Sequence, residues 1–188
     1  MELLEAIQKR NSTRKMTDYY VTDDEIKQII QAGLYAPSWA NTQVWEFIVV
    51  RERDIIQQMG ALLKDTNPAK KCTTGTSALI AVLAKKNVSG FKENEKATKF
   101  NEWFMFDLGM AVENMFLYAY SIGIGTVVIG EFDHAKLSKM LHLPNDTELV
   151  CLLPLGKPQN PDRKSPPRKE IKDCVYLDRY NEKFASIY

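Results

Sequence analysis

Seven consecutive residues near the amino terminus, Lys9-Arg10-Asn11-Ser12-Thr13-Arg14-Lys15, set four cations beside three polar side chains. A phosphate monoester carries a charge of about −2 and accepts several hydrogen bonds. Planar arginine forks with hydroxyl and amide donors suit such an anion. On composition alone, a solvated basic turn is the stronger reading of the same stretch. A second stretch, Ala36-Pro37-Ser38-Trp39-Ala40-Asn41-Thr42-Gln43-Val44-Trp45, places Ser38, Asn41 and Gln43 among aromatic side chains. These donors and acceptors could bond the edge of a heterocycle carrying imide and ring nitrogens. Taken alone, the segment is also an ordinary capped turn.

Other chemistries find little support. Gly123, Gly125 and Gly130 suggest a nucleotide loop, but a dinucleotide fingerprint needs its glycines after a strand and before a helix. Here they follow a helix and precede a strand, and the third comes too late. Glu131-Phe132 follows Gly130, where a P-loop would need Lys and Ser or Thr. Gly123 reads instead as a helix C-cap. The two histidines, His134 and His142, beside Pro144, offer neither a Ser–His–Asp ordering nor a metal-ligand spacing. No metal site and no protein nucleophile is expected, and no carboxylate pair stands out. Cys72, Cys151 and Cys174 are odd in number and far apart, so they read as reduced thiols in a cytoplasmic protein. So few nucleophiles and bases favour chemistry supplied by a cofactor.

The chain has 188 residues, 45% apolar and 26% charged, with a formal net charge of +1. That length suits one domain able to bury roughly 70% of its unfolded surface. The charge balance gives no sign of a nucleic-acid or membrane partner. Met1 to Glu5 lacks the basic and apolar regions of a secretory signal, and none is expected.

The elements follow from periodicity and punctuation. Leu3, Leu4 and Ile7 predict a short opening helix ending near Lys9. Thr22 and Glu25 form a capping box ahead of Ile26, Ile29, Ile30, Gly33 and Leu34, which share one helical face. Pro37 disfavours helix in the residue before it. Val44 to Val50 reads as a strand, and Arg53 to Leu63 as a helix. Ala78 to Ala84 is a continuous apolar run, hence a strand covered on both faces. Residues 86–99 read as a mobile polar loop. Asn101 to Ser121 predicts a long helix, apolar on nearly every side except a polar seam through Asp107, Asn114 and Ser121. Such a helix must be buried, in a core that continues into a subunit interface. Its charges argue against a membrane span. Thr126 to Ile129 reads as a short strand, and Asp133 caps a helix through Leu141. Glu148 to Leu155 is another buried strand. Gly156 to Pro167 is an extended tail, and Cys174 to Leu177 could add a last strand. Helices and strands thus alternate around one sheet in a three-layer domain.

Four separated segments, in order, resemble the nitroreductase family. Arg10-Asn11-Ser12-Thr13-Arg14 is similar to the family's Arg-Arg-Ser-x-Arg opening. Ala36-Pro37-Ser38 with Asn41, Gln43 and Trp45 is similar to its Ala-Pro-Ser…Asn-x-Gln-Pro-Trp loop. Asp107 to Gly130 resembles its long helix and the Gly-Ile-Gly-Thr and Ile-Gly turns that follow. Leu155-Gly156-Lys157-Pro158, with Lys164 and Arg168, resembles its ending. The match spans nearly the whole chain. Departures are Asn11 for a basic residue, Val44 for proline, the wide spacing of Lys164 and Arg168, and a short chain overall.

The resemblance implies an α+β fold: a three-layer α/β/α domain with a central mixed, mainly antiparallel sheet flanked by helices, in an intertwined homodimer. It implies a single FMN-binding domain over residues 1–188, whose tail (about 157–188) extends onto the partner subunit. Arg10, Asn11, Ser12 and Arg14 would hold the FMN phosphate and ribityl chain, with Arg168 and Lys164 closing the site. Pro37, Ser38, Trp39 and Asn41 would approach the ring from the other subunit. Gln43 would bond the ring edge or ribityl hydroxyls. Ile129, Gly130 and Glu131 would line the ring, with a backbone N–H near flavin N5. Trp39, Phe91, Phe100 and Trp103 would cover the substrate, although plain packing accounts equally well for the aromatics of the 91–103 loop. The implied activity is ping-pong reduction of nitroaromatic, quinone or similar conjugated acceptors by NADH or NADPH, with no catalytic side chain. Alternatives are a flavin-linked dehydrogenase or dehalogenase on the same fold, a flavin carrier or sensor without turnover, and, setting the resemblance aside, a phosphate-ligand binding domain.

Overall fold

The computed structural model describes residues 2–184. Met1 and residues 185–188, the last of the tail expected to reach a partner, lie outside the described residues. In chain order the elements are α1 (Leu3–Lys9), α2 (Asp23–Leu34), β1 (Trp45–Val50), α3 (Arg53–Ala61), α4 (Lys70–Gly75), β2 (Ala78–Lys85), β3 (Phe91–Lys92), β4 (Glu95–Lys96), α5 (Phe104–Ser121), β5 (Gly125–Thr126), α6 (His134–Met140) and β6 (Thr147–Gly156).

The apolar run of β2 is buried from Ala78 to Ala84. It pairs with β1 on one side and β6 on the other, and β5 closes the far edge. Every strand pairing among the described residues is antiparallel. Successive side chains of a strand point to opposite faces. Ala78, Ile80, Val82 and Ala84 therefore join one core with α2 and α5, while Leu79, Ala81 and Leu83 join a second with α3, α4 and α6. The register passes from Val82↔Cys151 to Leu83↔Leu149 and leaves Val150 over. One extra residue on β6 inverts its alternation. Leu149 thus enters the second core although Cys151, two residues on, enters the first. Each large aliphatic side chain buried this way contributes roughly 1.5–3 kcal/mol.

The capping box of α2 forms as expected: the Glu25 backbone N–H donates to Thr22 Oγ1, and Glu25 receives the Thr22 backbone N–H. Thr22→Ala should cost about 1 kcal/mol in a urea melt. At the end of α5, Gly123 takes φ +77°. Its N–H reaches Tyr120 O, and the Ile124 N–H reaches Ala119 O. These paired bonds satisfy carbonyls that the helix end would orphan. Gly123 therefore closes the C-terminal cap of α5, one residue beyond the C-cap Ile122.

Several expectations need correction. Helix α5 starts at Phe104 rather than Asn101, because the Trp103 N–H is bonded to Ser89 O. The short helix α4 was not expected: Lys-Lys-Cys-Thr-Thr-Gly has weak helix propensity. Packing of Ala69 and Cys72 into the second core holds it, with Thr73 Oγ1 donating to Ala69 O. The 86–99 stretch contains a β3–β4 hairpin whose turn residues, Glu93 and Asn94, both have positive φ, as a tight two-residue hairpin turn requires. The strand after the long helix is only Gly125–Thr126, with Ile129 bridged singly to Leu152. No strand forms over 174–177; a 3₁₀ turn at Ile171–Asp173 precedes a lone Tyr176–Lys183 bridge. Nor does one protomer bury α5 on every side. Met105 and Phe106 remain 60% and 61% exposed, beside exposed Gly109 and Glu113. No helix among the described residues is long and apolar enough to cross a membrane.

Candidate cofactor groove

The basic segment lies between the β5 edge and the tail. The Thr13 N–H donates to Thr126 O at 2.9 Å, and the Thr17 N–H to Lys157 O at 2.9 Å. Gln159 returns two bonds, from its N–H to Lys15 O and from its amide to Met16 O, each at 3.0 Å. Further along, Ser165 Oγ donates to the carbonyls of Lys9 and Arg10, and Asn11 Nδ2 to Arg163 O. Gly125 permits this close approach, since a Cβ there would collide with Thr13.

Where this strip passes α4, Arg14, Lys15 and Met16 line a groove of about 250 Å³ with Lys71, Cys72, Gly75 and Gln159. Among the described residues, no carboxylate pairs with Arg14, Lys15 or Lys71. Three cations around one concavity without a protein counter-charge suit an anion. The volume is slightly below the roughly 300–1,000 Å³ of small-molecule sites. Sequence reading missed Lys71, since the helix that carries it gave no periodic signal. Arg10 is placed differently. It lies over the Phe116 ring at 5.7 Å and near Glu113 at 3.8 Å, so it already has a partial counter-charge. Ser12 is half-buried, with no side-chain partner among the described residues. Burial raises the Cys72 thiol above its ordinary range, with Arg14 opposing, and pushes Cys151 up to about 12. Neither is a ready nucleophile.

The turn at Ile129–Glu131, expected to line the ring, is firmly placed. Ile129 is buried and exchanges both backbone bonds with Leu152. The Gly130 carbonyl faces His134 Nε2 at 3.0 Å. The Glu131 carboxylate pairs with Lys64, and its carbonyl accepts from Asn67 Nδ2. The backbone N–H of Glu131 has no acceptor among the described residues.

The segment around Trp39 is a strained turn. Ala40, Asn41 and Gln43 have φ of 46°, 56° and 47°, a left-handed region that non-glycine residues rarely occupy. Its bonds over-determine this shape. Ser38 Oγ accepts the Gln43 N–H, Thr42 Oγ1 donates to Trp39 O, and Gln43 Nε2 donates to Asn41 Oδ1. The Trp39 N–H donates to Asp107 Oδ1 at 2.9 Å. Asp107 is fully buried, and its other oxygen accepts from the buried Ser89 hydroxyl at 2.6 Å. Two of the three polar seam residues of α5 are thus used inside the protein: Asp107 faces the turn, and Asn114 donates to Ala32 O of α2, while Ser121 is exposed. Pro37 borders the exposed α5 face with Met105, Phe106 and Gly109.

Phe100, Trp103 and Phe106 stack edge to face, at 5.8 and 5.7 Å between centroids, while Phe91 is half-buried on the hairpin. Lys164 lines a separate depression with Lys9, Arg163 and Tyr120. Arg168 is exposed and donates to Pro166 O at 2.7 Å, so one protomer does not bring it to the groove. The strained turn is flanked by Ala36, Val44 and Trp45 of the first core; the groove and the Ile129–Glu131 turn border the second through Met16, Cys72 and Ile129. The two halves of the expected site are therefore anchored on opposite faces of the sheet.

Comparison with known proteins defines the class, an oxidoreductase. A family model described as "Nitroreductase family" matches residues 7–157, and the chain belongs to the nitroreductase family. A relative from Methanothermobacter thermautotrophicus, whose name pairs NADH dehydrogenase with NAD(P)H nitroreductase, is 30% identical over 172 residues, 86% of this chain and 80% of its own length. The NADPH-flavin oxidoreductase of Vibrio harveyi is 28% identical over 192 residues, 95% of this chain and 75% of its own. The crystal structure of a nitroreductase family protein from Clostridium novyi NT superposes with a TM-score of 0.75 at 26% identity, covering 99% of this chain and 98% of that one.

Proposed function

We propose that the protein is a homodimeric NAD(P)H-dependent reductase of nitroaromatic, quinone or similar conjugated acceptors, working by a ping-pong mechanism with FMN in two composite sites. FMN as the bound cofactor, with NADH or NADPH as electron donor, accompanies family membership. The observation that carries the reading is the set of three cations, Arg14, Lys15 and Lys71, around one groove with no carboxylate partner among the described residues. The donor set fits the phosphorylated flavin: cations for its anionic tail, the Ser12 hydroxyl nearby, and the unpartnered Glu131 N–H for a ring acceptor. When bound, FMN would take a hydride equivalent from the nicotinamide and pass it to the acceptor.

The chain's own residues bind and orient. Arg14 and Lys71 hold the phosphate end, with Arg10, Asn11 and Ser12 alongside. Ile129, Gly130 and Glu131 line the ring. Pro37, Ser38, Trp39, Asn41 and Gln43 come from the second copy, which explains why one chain anchors them on the opposite face. Lys164 and Arg168 close the site once the tail, from about residue 157, crosses to the partner. Phe91, Phe100 and Trp103 form a cover that excludes water from the ring face. The whole chain acts as one FMN-binding domain, placed in the cytoplasm.

The test is the visible spectrum of protein purified with FMN, followed under NADH or NADPH without oxygen. An oxidised-flavin spectrum that bleaches, with turnover of a nitroarene, is expected. Colourless protein that takes up no FMN would sink the reading and favour a different phosphate ligand.

The dimer has its own test. Met105 and Phe106 are large, apolar and exposed on α5. Phe106→Glu would bury a charge if this face is covered, at a cost of several kcal/mol. Light scattering should then show a monomer at micromolar concentration, with bound flavin lost. A stable variant dimer would exclude this face as the interface.

A further inference from the structure

We infer that His134 is a positioning residue for the ring-lining turn, fixing the Gly130–Glu131 peptide so that the Glu131 N–H, rather than the Gly130 carbonyl, meets the flavin edge; this rests on the flavin reading above. The imidazole bridges two backbone oxygens. Nε2 is 3.0 Å from Gly130 O and Nδ1 is 3.1 Å from Leu149 O. Leu149 is buried and pairs with Leu83 of β2, so the second contact faces the ring toward the sheet. Phe132 stacks on the imidazole at 4.0 Å and fixes its plane. His134 is the first residue of α6, whose preceding Asp133 carboxylate accepts the Lys136 N–H and caps the helix. The imidazole is thus held by its helix and by a stacked ring, with a sheet carbonyl 3.1 Å from Nδ1.

The Gly130–Glu131 peptide itself makes no backbone–backbone hydrogen bond among the described residues. Gly130 is exposed, and nothing lies within 4 Å of the position a Cβ would take. Glycine has little steric bias against rotation of the adjoining peptide plane. In a trans peptide the carbonyl and the following N–H point in opposite directions. A Gly130 carbonyl held on His134 therefore turns the Glu131 N–H away from the histidine, where no described residue accepts it. Rotated the other way, the same peptide would present an acceptor oxygen instead. The choice matters chemically, because reduction adds electron density to the ring and a donor at its edge stabilises that density while an acceptor opposes it. Both imidazole contacts can be hydrogen bonds at once only when each nitrogen carries a hydrogen; with one hydrogen the ring bonds one carbonyl at a time.

Two measurements test the inference apart from turnover. The first uses wild-type protein labelled with ¹⁵N at histidine, before and after loading with FMN. The His134 Nε2 signal should show a directly bound hydrogen in both states, and a bare Nε2 would overturn the proposal. The second compares His134→Phe and His134→Gln with wild type by titration with oxidised FMN and by the midpoint potential of the bound flavin. Phenylalanine keeps the stack on Phe132 but has no donor. It should weaken binding of reduced FMN roughly tenfold more than that of oxidised FMN, the scale of one lost hydrogen bond to a charged group. Glutamine, with an amide donor, should restore part of that ratio. Should His134→Phe fail to fold, His134→Gln is read alone and should lie measurably below wild type in the same ratio. Variants that fold and bind FMN with the wild-type ratio of affinities would refute the role of His134 while leaving the flavin reading intact. Wild-type protein that binds no FMN would instead defeat the reading on which it rests.

Discussion

Replacing Asp107 with alanine should lower stability by about 3 kcal/mol, because it strands two donors inside the protein. The Trp39 N–H and the Ser89 hydroxyl both end on this carboxylate, and Asp107 and Ser89 are fully buried. An unmet buried donor costs roughly 1–3 kcal/mol, and the vacated volume adds to that. For a chain of this length the expected fall in Tm is about 10 °C. Asparagine separates hydrogen bonding from charge. Its Oδ1 can keep the Trp39 bond, and its Nδ2 can donate to Ser89 Oγ, since a hydroxyl also accepts. Asp107→Asn should therefore retain most of the lost stability, and Ser89→Ala should show a partial loss. The damage should also be local in kind. Three left-handed residues in the 40–43 turn are kept there only by surrounding bonds, one of which Asp107 supplies. Urea melts of the three variants decide the matter. An alanine variant within about 0.5 kcal/mol of wild type would mean that the turn holds itself.

Charge reversal in the groove should have an effect of comparable size, on ligand binding rather than on folding. Arg14→Glu or Lys71→Glu should weaken FMN binding by at least 100-fold. Losing one hydrogen bond to a charged group already costs about 1.5–3 kcal/mol, or roughly ten- to 150-fold, and reversal adds repulsion. Neither cation has a carboxylate partner among the described residues, so the flavin-free protein should keep its stability. Stability and affinity thus move independently, unlike the Asp107 case. Arg10→Gln gives a graded comparison: Glu113 and the Phe116 ring already share Arg10, so some of its loss will register in packing. Binding to wild type should also weaken as salt is raised, because the groove opens to solvent and its cations are screened. Fluorescence titration of FMN at two ionic strengths measures both effects. Wild-type affinity in Arg14→Glu would place the phosphate elsewhere, with the Lys9–Lys164 depression the first alternative.

Much of this protein was fixed by short-range chemistry and so could be read from its residues. The capping box at Thr22–Glu25, the Gly123 cap and the buried runs of β2 and β6 depend on neighbours a few positions apart. Local propensity and periodicity report such features directly. The basic strip and the Ser38–Gln43 loop were visible as residue types, because few side chains suit an anion or the edge of a heterocycle. Tertiary structure decided what those residues meet. Lys71 joins Arg14 only because a weakly helical segment is held against the second core. Asp107 is buried rather than solvated because two loops distant in sequence converge on it, which no single-helix pattern can show. The β6 bulge, through one unpaired residue, sets which side chains face which core. That division places the turn and the groove on opposite faces of one sheet, a separation that only the paired strands could create.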